Sequence, residues 1–182
     1  MSKDNLSWIT RRKLPKKIAD SIEREAWNVP WYFFKDCAYG EVALELGLDL
    51  HPYFSHSLSQ NERKSPYFNN FPFEFITDYA IMTGKRMIRS HITLHYPSPQ
   101  EFGQHHNSHI DNSEIPHMVI LYYVNDADGD TFFFKGENDN EIIHRETPER
   151  GKMVIFNGSQ YHASSPPSKN FRMTLNINYE LT

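Results

Sequence analysis

Residues 105–117 form a polar segment with four histidines and one aspartate, directly before the apolar run HMVILYYV. His109 and Asp111 are separated by one residue, so on an extended strand both side chains point to the same side. Imidazole nitrogens and carboxylate oxygens are common ligands of transition-metal ions. The pair therefore predicts half of a metal site, and the alternative interpretation is a polar loop without chemistry.

His162 is the third candidate ligand, and it follows the apolar segment MVIFNG. Two histidines and one carboxylate on one side of Fe(II) leave coordination positions open for a cosubstrate and for O₂. A zinc hydrolase can use the same three ligands. These three residues alone therefore leave the type of metal open.

Arg172 and Thr174 supply a second part of the pattern. The chain has to turn near Pro166-Pro167, so His162 and Arg172 lie on either side of a reversal and can face one cavity. A guanidinium group is permanently charged and matches the geometry of a carboxylate. A dicarboxylate could bind the metal at one end and Arg172 at the other, with Thr174 as an additional donor. This arrangement favours 2-oxoglutarate as a cosubstrate.

The remaining histidines receive mainly structural interpretations. His105 and His106 are alternative ligands, but neither stands two positions before an aspartate. His117 opens an apolar strand and is expected to be hydrogen-bonded inside the protein. His91 and His95 share one face of a predicted strand, and the sequence leaves open whether that face lines a cavity or contacts solvent.

The first half of the chain carries the helix signals. Apolar residues recur at every fourth position after Pro15, which predicts one helix. Residues 41–48 can form a second helix. A further helix is predicted from Pro72 to Gly84, with Phe75, Tyr79 and Met82 on one side.

From residue 86 the pattern changes to short strands. The predicted strands are 87–96, 117–124, 131–134, 141–144, 151–156 and 171–179. Helices followed by many short antiparallel strands favour a helix-supported β-sandwich or jelly roll. In the last strand, Arg172, Thr174, Asn176 and Asn178 share one face. That face either contacts solvent or lines a wet cavity between two sheets.

Composition limits the class of protein. A chain of 182 residues favours a single domain, 1–182, and its one cysteine, Cys37, excludes an intrachain disulfide. The net charge of −4 argues against a nucleic-acid partner, and the basic run RRKLPKK (11–17) is expected to be a solvated approach to the first helix. Without an apolar run of membrane length or a signal-peptide core, a cytoplasmic protein with no membrane partner is expected. The oligomeric state is left open.

Four segments together resemble a known enzyme family. LHYPSPQEFGQHHNSHID, VILYYVNDADGDTFF, PERGKMVIFNGSQYHASSPP and FRMTLNINY occur in this order over residues 86–181. They resemble the Fe(II)/2-oxoglutarate-dependent dioxygenases, most closely the prolyl-4-hydroxylase-like branch. The resemblance implies a cupin-like double-stranded β-helix over residues 86–182. Residues 1–85 would then supply helical support and substrate-side loops, among them residues 57–70.

The resemblance also implies the roles of individual residues. The implied iron ligands are His109, Asp111 and His162. The implied contacts to 2-oxoglutarate are Arg172, Tyr96, Tyr123 and Thr174. Two positions depart from related branches: Arg172 stands where collagen-type prolyl hydroxylases use lysine, and Asn178 stands where DNA-alkyl-repair relatives carry a second arginine. The second departure argues against a nucleic-acid repair function. Asp128 replaces a glycine of the family's turn before Gly129.

The implied reaction is the hydroxylation of a C–H bond with Fe(II), 2-oxoglutarate and O₂, and with ascorbate as an accessory reductant. A protein or peptide residue such as proline is the expected substrate. A small molecule handled by the same iron centre is the alternative. A non-catalytic cupin-like metal-binding domain is a further interpretation, against which the complete set of three ligands and Arg172 argues.

Overall fold

The computed structural model describes residues 8–35, 52–97, 105–137 and 141–181. Its helices are α1 (Lys16–Asn28) and α2 (Phe73–Tyr79), with a 3₁₀ turn at Phe68–Asn70. The strands are β1 (Ile9–Lys13), β2 (Tyr32–Phe34), β3 (Tyr53–Gln60), β4 (Arg63–Lys64), β5 (Met87–His95), β6 (His117–Tyr123), β7 (Thr131–Phe134), β8 (Ile142–Glu146), β9 (Lys152–Asn157), β10 (His162–Ser164) and β11 (Arg172–Glu180). No helix in the described ranges is long and apolar enough to cross a membrane. Cys37 and the helix predicted at 41–48 lie outside the described residues.

The strands form two antiparallel sheets. The main sheet has the order β1-β9-β6-β11-β5-β3-β2, with β4 paired to β3, and the small sheet has the order β10-β7-β8. A backbone bridge between His109 and His162 extends the small sheet beside β10. The six strands predicted after residue 86 all form, and the two sheets confirm the predicted jelly-roll architecture.

One face of the main sheet packs against both helices. The buried helical residues are Ala19, Ile22, Ala26, Phe73 and Ile76. Helix α1 begins after Pro15, as predicted. The helix is tied to the sheet because Arg150, just before β9, pairs with Asp20 at 2.6 Å and with Glu23 at 2.7 Å.

Helix α2 is shorter than predicted. It ends at Tyr79, and Gly84 has a φ of +82° in the loop that follows. Phe75 and Tyr79 share one side, as predicted, and stack on each other, and Phe75 is exposed. The buried side instead carries Phe73 and Ile76, because Phe73 stacks on Phe68 of the preceding 3₁₀ turn.

The first half of the chain also contributes strands that the sequence pattern did not reveal. Residues 11–13 of the basic run lie in β1, an edge strand paired with β9 that leads into helix α1, and Arg11 and Lys13 are exposed, as predicted. Arg11 pairs with Glu146, and Lys13 with Glu149. Residues 57–70, interpreted as a loop, contain the end of β3, all of β4 and the 3₁₀ turn. The charged strands β1 and β4 lack apolar alternation, which explains why the pattern does not reveal them.

The second face of the main sheet is divided into two parts. Near β1, β9 and β6 it is apolar and packs against Phe133 of the small sheet, and its members are Ile9, Val119, Leu121, Tyr123, Val154 and Phe156. Near β11, β5 and β3 it is polar and lines a cavity between the sheets. The apolar part holds the sheets together, so that the polar part can remain open.

Candidate metal centre

The three predicted metal ligands meet in the cavity. The ligand atoms of His109, Asp111 and His162 all lie within 4.8 Å of one another. Nε2 of His109 is 3.9 Å from Oδ1 of Asp111, and Nε2 of His162 is 4.0 Å from the same oxygen. These separations bring all three atoms within reach of one ion, as two histidines and one carboxylate on one face of a metal require.

Backbone carbonyls orient both imidazole rings. Nδ1 of His162 lies 3.0 Å from the carbonyl oxygen of Gln160, and Nδ1 of His109 lies 3.3 Å from that of Asn107. A carbonyl oxygen only accepts, so each Nδ1 carries the hydrogen and each Nε2 offers its lone pair. Burial, together with the neighbouring His109, lowers the pKa of His162 to about 4. The neutral ring that a metal needs is therefore the form present near pH 7.

Asp111 is held from three sides. Its Oδ2 accepts hydrogen bonds from Nδ2 of Asn176 at 3.0 Å and from Nδ2 of Asn178 at 2.8 Å. Its Oδ1 pairs with Nη2 of Arg89 at 2.9 Å. Burial works to raise the pKa of Asp111, but His162 and Arg89 outweigh it and hold that pKa well below its usual range. Asp111 is therefore an ionised ligand with one oxygen directed at the two imidazoles, and the set fits a divalent transition-metal ion.

Arg172 lines the same cavity as the three ligands. The cavity has a volume of about 330 Å³, enough for a small dicarboxylate. Arg172 is buried, and it donates from Nε to the carbonyl of Gly129 at 2.9 Å and from Nη2 to Oγ1 of Thr131 at 2.8 Å. These contacts fix the guanidinium plane in advance of binding, and a preorganised cation binds an anion at a lower entropic cost.

Thr174 and Tyr123 occupy different positions relative to Arg172. Thr174 lines the cavity, and its Oγ1 is 2.7 Å from Oγ1 of Thr93. Tyr123 is fully buried and donates its hydroxyl hydrogen to Thr131 at 2.8 Å, with its ring centroid 5.9 Å from Cζ of Arg172. Tyr123 therefore supports Arg172 from behind and is not among the described residues that line the cavity.

Tyr96, for which the resemblance implied a contact to 2-oxoglutarate, is not among the described residues that line the cavity. The residues of β5 that line the cavity are Arg89, His91, Thr93 and His95. Tyr96 follows on the opposite face, near the ring of Phe54 at 6.3 Å. The residue of β5 directly opposite Arg172 is His95. Side chains alternate along a strand, so a shift of one residue in the alignment moves a side chain from the cavity face to the core face. The position of Tyr96 therefore does not support a contact to a cosubstrate.

The other histidines have distinct positions. His106 lines the cavity, stacks on His95 and has Nδ1 3.0 Å from Oγ of Ser164. His105 instead packs its ring against Phe134. The prediction for His117 is confirmed, because it is buried with Nδ1 2.8 Å from the carbonyl oxygen of Ile115.

Sequence reasoning missed the residues that hold Asp111. Arg89 lies on β5 directly opposite Asn178 of β11 and donates a hydrogen bond to it. Both side chains also contact the carboxylate of Asp111. The sequence did carry one signal, because the alternation of polar and apolar residues in both strands indicates that each strand has a polar face. The pairing of β5 with β11 was needed to bring the two polar faces together.

The turn before β7 contains Asp128 and Gly129, the two turn positions considered in the family resemblance. Asp128 accepts a hydrogen bond from the backbone N–H of Ser168 at 2.9 Å and so joins two turns. A Cβ atom on Gly129 would lie 2.6 Å from the carbonyl oxygen of Ser165 and 3.1 Å from Cδ of Arg172. Only a residue without a side chain lets this backbone approach Arg172 so closely.

Comparison with known proteins shows similarity in structure. No protein-family model and no curated protein matches the sequence. A 2OG-Fe(II) oxygenase family oxidoreductase from Burkholderia pseudomallei is 14% identical with a TM-score of 0.68, over 96% of this chain and 85% of that one. A Trichoplax adhaerens prolyl hydroxylase, in complex with a hypoxia inducible factor peptide fragment, is 13% identical with a TM-score of 0.63, over 97% and 84%.

A third similar structure contains a small molecule. The epimerase SnoN from nogalamycin biosynthesis, in complex with Fe³⁺, alpha ketoglutarate and nogalamycin RO, is 11% identical with a TM-score of 0.63, over 95% of this chain and 78% of that one. The chain therefore has the fold of 2OG-Fe(II) oxygenases, including prolyl hydroxylases. At these identities the likeness establishes the fold.

Proposed function

We propose that this protein is an Fe(II)- and 2-oxoglutarate-dependent dioxygenase that hydroxylates a C–H bond. One observation carries the proposal: a ligand set of two histidines and one aspartate shares a cavity of about 330 Å³ with the buried Arg172. A zinc hydrolase would need the three ligands but would have no use for a buried guanidinium at that position. The shared fold with 2OG-Fe(II) oxygenases supports the same conclusion.

Each residue has a defined task in this proposal. His109 and His162 bind Fe(II) through Nε2, and Asp111 binds it through Oδ1. Arg172 pairs with the distal carboxylate of 2-oxoglutarate, and Thr174 donates a hydrogen bond to it. Fe(II) with 2-oxoglutarate and O₂ supplies the oxidation, which converts R–H to R–OH and releases succinate and CO₂. The contribution of the protein to catalysis is to hold the reactants in position and to exclude water.

We propose that the substrate is a residue of a peptide or protein, with proline as the first candidate. The Trichoplax adhaerens neighbour is a prolyl hydroxylase with a bound peptide fragment, which supports this choice. The cavity is bordered by β2 and β3 of the main sheet, where Phe34 and Tyr53 stack on each other at 5.2 Å. Aromatic rings at a cavity border provide apolar area against which a proline ring can pack.

A small-molecule substrate is the second candidate, and SnoN with its bound nogalamycin RO is the observation that favours it. Both candidates use the same iron centre and the same cosubstrate. They differ in what stimulates the turnover of 2-oxoglutarate. Succinate formation in the presence of Fe(II) and ascorbate, measured against proline-containing peptides and against small metabolites, separates them. The true substrate must also gain one oxygen atom by mass spectrometry.

The first test is anaerobic reconstitution with Fe(II) and 2-oxoglutarate, followed by visible absorption. We expect a weak metal-to-ligand charge-transfer band in the wild-type protein and its loss in His162→Ala. His144→Ala is the matched control, because His144 bonds Glu146 and does not line the cavity. A folded, iron-loaded protein without the band would contradict the proposal and favour a non-catalytic metal-binding domain.

A further inference from the structure

Arg89 is a cation fixed beside the candidate metal ligands. It lies on the cavity face of β5, and its side chain is 23% exposed. Its Nε donates to Oδ1 of Asn178 at 2.9 Å, and its Nη2 pairs with Oδ1 of Asp111 at 2.9 Å. Two separate contacts therefore hold the guanidinium in one orientation.

The oxygen that Arg89 contacts is the one that faces both imidazoles. Oδ1 of Asp111 is also the atom that lies 3.9 and 4.0 Å from the histidine Nε2 atoms. The other carboxylate oxygen, Oδ2, already accepts from Asn176 and Asn178. A bound ion and Arg89 must therefore share Oδ1.

We infer that Arg89 is the counter-ion of Asp111 and sets the metal affinity of this site. The inference rests on the proposed metal centre and deepens it. Arg89 neutralises the carboxylate, so the three ligands and Arg89 together present no net negative charge to an approaching cation. Its guanidinium also repels a divalent ion at a distance of only a few ångströms. Both effects weaken metal binding.

Arg89 is a positioning residue with two opposed effects. It stabilises the protein without metal, because a buried carboxylate that loses its cation is costly. It weakens the protein's hold on a divalent ion, because it competes for Oδ1. The orientation of Asp111 does not depend on Arg89 alone, since Asn176 and Asn178 hold Oδ2. Loss of Arg89 should therefore free the carboxylate for the metal without releasing it from its place.

The experiment measures Mn(II) binding to the full chain after removal of metals with a chelator. We expect Arg89→Gln to bind Mn(II) about 10- to 100-fold more tightly than the wild type, because a positive charge beside the divalent ion is removed. Loss of a partner that only orients a ligand would instead lower the Mn(II) affinity, commonly by roughly 10- to 100-fold. In the presence of the chelator the same variant should melt at a lower temperature than the wild type. Arg89→Lys keeps the charge and should bind Mn(II) nearly as the wild type does.

The matched control is Arg86→Gln. Arg86 makes an ion pair with Glu180 at 2.7 Å on the same sheet, and it does not line the cavity. This variant should leave Mn(II) affinity unchanged. Arg89→Met, which keeps most of the apolar stem, replaces Arg89→Gln if that variant does not fold.

Two results would overturn the inference in distinguishable ways. Mn(II) affinity in Arg89→Gln that equals or falls below the wild-type value would show that Arg89 has only a structural role, while the metal centre itself stands. A wild-type protein that binds no Mn(II) would remove the metal centre and, with it, the proposed function.

Discussion

His109 and His162 exchange both of their backbone hydrogen bonds, with N to O distances of 3.0 Å in each direction. In an antiparallel pair of this kind the two side chains project from the same face of the ladder. The ring centroids accordingly lie 4.8 Å apart. Two candidate ligands that are distant in sequence are thus placed by the main chain, independently of any bound ion.

Removal of one ligand should abolish tight metal binding without unfolding the protein. In His162→Ala the backbone bridge to His109 remains, so the fold should persist. We expect Mn(II) affinity to fall by a factor on the order of 100, because one of three ligands is lost. Titration calorimetry measures the change, and His144→Ala serves as the control. Wild-type affinity in His162→Ala would contradict the assignment.

Replacement of Arg172 should separate cosubstrate binding from metal binding. Arg172→Met removes the buried cation, and the affinity for 2-oxoglutarate should fall about 10- to 100-fold, corresponding to a charge-assisted hydrogen bond of about 1.5–3 kcal/mol. Mn(II) affinity should stay near the wild-type value. Intrinsic fluorescence titrated with 2-oxoglutarate reports the first quantity and calorimetry the second. Equal 2-oxoglutarate affinity in both proteins would rule out Arg172 as the carboxylate partner.

Tyr96 and Thr174 provide a test of strand register. Tyr96→Phe removes a hydroxyl on the face of β5 that packs against Phe54, so 2-oxoglutarate affinity should change by less than about twofold. Thr174→Val removes a hydroxyl that lines the cavity, and it should weaken binding more. The same fluorescence titration compares the two variants. A larger loss in Tyr96→Phe than in Thr174→Val would restore the role that the family resemblance implied for Tyr96.

The metal-free protein should lose stability as the pH falls from about 6.5 towards 4. Burial, reinforced by the charge of Arg89, lowers the pKa of His91 from 6.5 to about 4. Between these values the unfolded chain binds more protons than the folded one, so the free energy of unfolding decreases with falling pH. We expect His91 to account for a loss of about 1–2 kcal/mol between pH 7 and pH 5.

Urea denaturation at the two pH values measures this loss in the wild type and in His91→Gln. The variant lacks the titrating ring, so its stability should fall less on acidification. His162 contributes with the same sign, which is why some dependence should remain. Identical pH dependence in both proteins would show that His91 is not held neutral by the fold.

Gly129 should be intolerant of even a methyl group. The Cβ atom of Gly129→Ala would meet the carbonyl oxygen of Ser165 at 2.6 Å and Cδ of Arg172 at 3.1 Å. Because the first of these is backbone, we expect a loss of about 1–3 kcal/mol in the free energy of unfolding and weaker 2-oxoglutarate binding. Gly136→Ala is the control, since nothing lies within 4 Å of its added Cβ. Equal unfolding free energies in the two variants would contradict the close approach.

The fold and the ligand types are predictable from the sequence because they depend on local patterns. Alternation of apolar and polar residues locates β5 and β11 and identifies the polar face of β11, whereas nearly continuous apolar runs locate β6, β7 and β9. The edge strands β1 and β2 are not predictable in this way, because charged or exposed aromatic residues at a sheet edge leave no period-two pattern. Their partners are far away in the chain, so the pairing has no local signature.

The residue types alone set the chemistry available to the site: two imidazoles, one carboxylate and one permanently charged guanidinium. Which neighbours act on these groups depends on how distant segments of the chain pair. The pairing of β5 with β11 places Arg89 opposite Asn178 and His95 opposite Arg172. Residue chemistry is a property of each side chain, whereas register is set by the packing of a whole sheet, where a shift of one residue reverses every face.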